Sequence, residues 1–76
     1  MRNLSNSDII TFIQAVRDAE GGVWFVTNAG DRLDLKSLLN QYIFIAAAND
    51  PDNSYLPNGR LICDNEDDRT LFVDFQ

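Results

Sequence analysis

Four carboxylates crowd together at Asp64, Glu66, Asp67 and Asp68, and a second oxygen-rich run, Asp50-Pro51-Asp52-Asn53-Ser54, precedes them. Paired carboxylates do acid and base chemistry when burial drives their pKa values apart. Here the cluster lies between two apolar, alternating segments and reads as an exposed hairpin tip, a solvated charge run that keeps an edge strand from aggregating. The second run begins like a calcium loop, because hard cations want several oxygens. It then breaks the pattern, with Tyr55 where the sharp turn wants Gly and Leu61 where the bidentate Glu belongs. It reads as a plain loop.

The single cysteine, Cys63, stands in an alternating segment beside Leu61, with no Lys, Arg or His next to it to stabilise a thiolate. A buried, inert thiol is expected. Histidine is absent altogether, which removes His bases, His nucleophiles, phosphohistidine and His metal ligands at once. Neither a Gly-rich phosphate loop nor a nucleophile elbow occurs. The expectation is a protein that is not an enzyme, with no cofactor and no metal site.

The elements that would position these residues follow from the pattern of apolar side chains. Ser5-Asn6-Ser7-Asp8 approximates a capping box, and Ile9, Phe12, Ile13 and Val16 recur at helical spacing until Gly21-Gly22. This predicts a helix over about 7 to 20. Val23 to Thr27 is β-branched and aromatic, residues 28 to 31 form a turn, and Arg32 to Leu35 alternates, which predicts a hairpin. A second helix is predicted over 37 to 48, started by Ser37 as N-cap, its hydroxyl accepting from a backbone N–H one turn in. Residues 49 to 59 are dense in turn formers, with Tyr55-Leu56 placed to pack on the core. Arg60 to Cys63 and Thr70 to Phe75 then predict a closing hairpin in which Leu71, Val73 and Phe75 share a face.

The resulting order, αββαββ, predicts an α+β open-faced sandwich: two helices packed on one face of a four-stranded, mostly antiparallel sheet. On a helical wheel of about 100° per residue, Leu38, Leu39, Tyr42, Ile43, Ile45 and Ala46 form one apolar arc on the second helix. That arc is assigned to the core. Phe44 then falls outside it, beside Asn40 and Gln41, so Phe44, Asn40, Gln41 and Ala47 are the expected partner surface, unless the 49 to 59 loop covers Phe44.

Seventy-six residues allow one small domain, 1 to 76. Twelve acidic against six basic residues, with no basic cluster, argue against direct nucleic-acid binding. A lone cysteine and an N-terminus without an apolar signal core predict a cytoplasmic protein, and no run is long and apolar enough to span a bilayer.

One stretch carries a family likeness. Leu33-Asp34-Leu35-Lys36-Ser37, a hairpin strand that runs directly into a short apolar helix, resembles the bacterial HPr phosphocarriers of the sugar phosphotransferase system, where a similar leucine-lysine-serine segment opens the second helix. The likeness covers about residues 7 to 48. It implies that Ser37 is a site for a regulatory kinase and that the helix after it belongs to a docking surface. The family's phosphoacceptor histidine has no counterpart, so phosphocarrier activity is not implied. The chain also lacks a first strand before helix one, reads Leu38-Leu39-Asn40 where the family usually has Gly, and is expected to end in a hairpin instead of a third helix.

The function expected is therefore a non-catalytic, HPr-like module that contacts a protein partner. Two other readings stay open: an acidic inhibitor that mimics nucleic acid, and a homo-oligomeric structural protein.

Overall fold

The computed structural model describes residues 1–49 and 56–76. Helix α1, Asn6–Asp18, starts where the capping signals place it: the Ser5 hydroxyl accepts from the Asp8 N–H (3.2 Å) and the Asp8 carboxylate accepts from the Ser5 N–H (3.4 Å). Both are donors that the first turn of a helix leaves without an internal partner. Ile9, Phe12, Ile13 and Val16 are buried along one stripe.

Strands β1 (Val23–Thr27) and β2 (Arg32–Asp34) form the expected hairpin, with Phe25 opposite Leu33. Gly30 turns it with φ near +91°, a conformation that costs glycine little. After helix α2, Leu38–Ala48, strand β3 (Gly59–Cys63) returns to pair antiparallel with the other edge of β1, so the sheet runs β2-β1-β3. Gly59 lies under the Phe25 ring, where any Cβ would collide with it. Of the Tyr55-Leu56 pair, Leu56 is buried as expected; Asp50 to Tyr55, which include the calcium-like run, lie outside the described residues.

Among the described residues the architecture is α+β with three helices and a three-stranded antiparallel sheet, not four strands in the order αββαββ. The difference is the C-terminus. Residues 66 to 75, Glu66–Phe75, form a 3-10 helix in place of an acidic turn and a strand. Its start is built locally, with the Asn65 carboxamide oxygen accepting from the Asp67 N–H (3.0 Å). Its repeat of three residues per turn puts Phe72 and Phe75 one above the other, and both are buried, while Leu71 and Val73 are exposed. The period-two face Leu71, Val73, Phe75 is thus replaced by a period-three face.

All five phenylalanines meet in the core. Phe12 of α1 stacks on Phe44 of α2 (centroids 5.0 Å apart), tilts against Phe72 (5.6 Å) and meets Phe75 edge-on (5.4 Å). Phe44 in turn meets Phe25 of β1 edge-on at 5.5 Å. Offset and edge-to-face contacts of this kind add roughly 1 kcal/mol each beyond area burial. Val23, Phe25, Leu61 and Cys63 give this side of the sheet to the helices. The other side carries Trp24, Arg32, Arg60 and Ile62, with the Arg32 guanidinium 4.8 Å above the Trp24 ring.

Two outcomes follow from this packing. Phe44→Ala is expected to cost about 3 to 5 kcal/mol in urea unfolding, and Leu39→Ala within about 0.5 kcal/mol of nothing; the reverse order would mean that α2 is turned the other way round. The second outcome concerns acid. The Arg2 guanidinium, 3.2 Å from Asp8, and the Ser5 N–H hold the Asp8 carboxyl below its ordinary pKa. The charged form is therefore favoured by folding, so this cap contributes stability fully above the unfolded pKa and loses it as pH falls through the lower folded value. Proton titration by NMR should give Asp8 a midpoint below the ordinary carboxylate value, and Arg2→Ala should raise it.

Candidate interaction surface

Helix α2 is set by the polar side chains at its start. The Asn40 amide donates to the Asp34 carbonyl (3.0 Å), the Gln41 amide donates to the Leu35 carbonyl (2.9 Å), and the Gln41 side-chain oxygen accepts from Arg17 of α1 (3.5 Å). The Asp34 carboxylate closes the same turn by accepting from the Lys36 N–H (3.0 Å), while the Lys36 ammonium donates to the Ala19 carbonyl at the end of α1. Ser37 occupies the N-cap position with extended backbone, and its carbonyl accepts from the Gln41 N–H (2.9 Å). Its hydroxyl makes no capping bond, contrary to the expectation for Ser37. Asn40 and Gln41 do the work at this turn by reaching back to the strand that precedes the helix.

Those bonds aim Asn40 and Gln41 at the sheet and at α1. Phe44, one turn on from both, follows them inward. Phe44 is 0% and Gln41 5% exposed, and Asn40 and Ala47 are half-buried, so the surface expected from Asn40, Gln41, Phe44 and Ala47 does not exist as a surface. The arc assigned to the core is the one outside. Leu38 is 56% exposed, Leu39 68%, Tyr42 62% and Ile43 47%, with Ala46 exposed among them; of that arc only Ile45 packs against the core.

This is a face of four large apolar side chains at successive helical positions, and no charged residue occurs between Lys36 and Asp50. Beside it, α1 and α2 enclose a groove of about 360 Å³ lined by Ile9, Ile10, Ile13, Gln14, Ile45 and Asn49 among others. Ile10 is itself largely exposed. Sequence periodicity located the arc and assigned it to the wrong side. The signal that could have corrected it is the pair of adjacent amides at 40 and 41, placed to cap the chain that enters the helix.

The acidic cluster is not a uniform tip. Asp68 is buried, and its two carboxylate oxygens accept from the N–H groups of Glu20 (3.1 Å) and Gly21 (2.9 Å). Asp64 accepts from the Trp24 indole N–H (3.3 Å), while Glu66 and Asp67 are exposed, Glu66 beside Arg69 at 3.8 Å. Asp68 therefore ties the end of α1 to the 3-10 helix and leaves no ridge made of all four carboxylates. Cys63 is half-buried, not fully buried; burial pushes its thiol pKa up, Asp68 adds to that and Arg69 opposes it. Among the described residues no group of three His, Cys, Asp or Glu could hold a metal ion, and no helix is long and apolar enough to cross a membrane.

Removing the Asp68 carboxylate strands two backbone N–H groups. Asp68→Ala is expected to cost roughly 2 to 3 kcal/mol in denaturant unfolding and Asp68→Asn less, since one acceptor oxygen survives. Equal, negligible losses would show that water serves Glu20 and Gly21 as well.

Comparison with protein-family models, with curated proteins and with solved structures finds no match for this chain.

Proposed function

We propose that this protein is a non-catalytic module that acts by contact with another protein, and that Leu38, Leu39, Tyr42 and Ile43 of α2 are the contact. The observation that carries the reading is their exposure side by side on a helix face without charge. Small soluble domains seldom leave such a patch open, and burial of each side chain would contribute roughly 1 to 2 kcal/mol before the entropy of association is deducted. Tyr42 adds an aromatic anchor with a polar tip, the kind of residue enriched where binding energy concentrates. A reducing cytoplasm suits the unpaired Cys63.

An HPr-like origin remains part of the proposal. What supports it is that the face lies on the helix that follows Ser37. The absence of a phosphoacceptor histidine among these residues still separates the two. Nucleic-acid mimicry has less behind it, because Asp68 is turned into the fold.

The test is affinity capture with the full chain and with Leu39→Ser/Tyr42→Ser, matched for unfolding midpoint. The double variant should lose its captured proteins by roughly tenfold or more, whereas an unchanged set would sink the reading. Titration with phosphotransferase proteins, followed by NMR, bears on the HPr-like part alone, and shifts should centre on Leu38, Leu39, Tyr42 and Ile43.

A further inference from the structure

Strand β3 has a free edge whose hydrogen-bonding pattern can be worked out. The Asp64 N–H donates to the Gly22 carbonyl and the Asn28 N–H to the Asn58 carbonyl, so in this register the bonded pairs are 22/64, 24/62, 26/60 and 28/58. The alternate residues of β3, Gly59, Leu61 and Cys63, therefore turn their N–H and C=O groups away from β1. Gly59 is satisfied, its carbonyl accepting from the Met1 amine at 2.7 Å and its N–H donating to Leu56 at 3.2 Å. Among the described residues, Leu61 and Cys63 pair with no second strand. They border an open concavity of about 780 Å³ whose other wall is the 3-10 helix, through Arg69, Thr70, Phe72 and Val73. Val73 and Leu71 of that helix are exposed apolar groups.

An unpaired edge accepts an extended strand, and the sequence of this edge, Arg60-Leu61-Ile62-Cys63-Asp64, is complementary to itself when reversed. A two-fold axis through Ile62 sets Leu61 opposite Cys63 of a second copy, and Cys63 opposite Leu61 of the second copy. These are the residues whose backbone groups point outward, so they exchange four N–H···O=C bonds. The same register sets Arg60 opposite Asp64 of the second copy on the outer face of the sheet, twice by symmetry. A shift by one residue would break the backbone bonding, and a shift by two would lose both symmetry-related Arg60–Asp64 pairs.

We infer that β3 is a self-complementary dimer edge, which joins two copies into one six-stranded antiparallel sheet centred on Ile62, with the Arg60 and Asp64 pairs setting the register. Unlike pairing edges that rely on apolar surface alone, this one is marked by charge complementarity in a chain with twice as many acidic as basic residues. It leaves the outward face of α2 free, so the dimer would present that face twice.

Sedimentation equilibrium of the full chain should show a monomer–dimer equilibrium. Arg60→Asp and Asp64→Arg, taken singly, should each weaken the dimer about tenfold, and the double variant should recover it. In a Cys63→Ser background, Ile62→Cys should form an intermolecular disulfide under mild oxidation, because a non-hydrogen-bonded cross-strand pair brings the Cα atoms to about 4.5 Å, and Arg60→Cys should not. A chain that stays monomeric at millimolar concentration overturns the inference. So does a dimer unmoved by both charge reversals and lost in Leu39→Ser/Tyr42→Ser, which would place the contact on α2. Dimerisation that survives the α2 substitutions, with capture of other proteins lost, supports both proposals separately.

Discussion

The fold depends on the Phe12 ring. It touches α2 through Phe44 and the C-terminal helix through Phe72 and Phe75, and Phe44 carries the contact on to Phe25 in the central strand. A chain of 76 residues has little core to spare, and here three helices and the sheet are held through one connected set of rings. Because the interior is close-packed, the position of each ring fixes the rotation of the element that bears it.

For α2 that rotation has a surface consequence. Phe44 and Gln41 can both point inward only if Leu38, Leu39, Tyr42 and Ile43 point outward. A helix with apolar residues on both sides has two candidate core faces, and hydrophobicity does not choose between them. The choice falls to the side-chain amides, which must satisfy the carbonyls of Asp34 and Leu35 at the entry to the helix. The apolar face is outside because the polar requirement was met inside.

The acidic residues show a similar division of roles. Asp68 replaces the solvent for two N–H groups beyond the end of α1, and its neighbours Glu66 and Asp67 remain in water at the start of the 3-10 helix, where negative charge is favourable. Residues adjacent in the chain and alike in chemistry thus serve different ends. The same segment closes one side of the concavity beside β3, so the step that removes a fourth strand also creates the open sheet edge.

Helix α1, the β1–β2 hairpin, the existence of α2 and the strand β3 were legible in the residues, because capping groups, turn formers and local periodicity are properties of neighbouring side chains. The absence of histidine and the lack of charge from 37 to 49 were equally plain. Thr70 to Phe75 was not legible, since β-branched and aromatic residues there suit a strand, and only contact with Phe12 selects the three-residue repeat that buries Phe72 and Phe75. Nor was the orientation of α2. Local sequence determined that a helix with an apolar arc would form, and the tertiary structure decided which side of it met water, because the bonds that turn it run outside the helix, to Asp34 at the end of β2, to Leu35 in the turn after it and to Arg17 of α1.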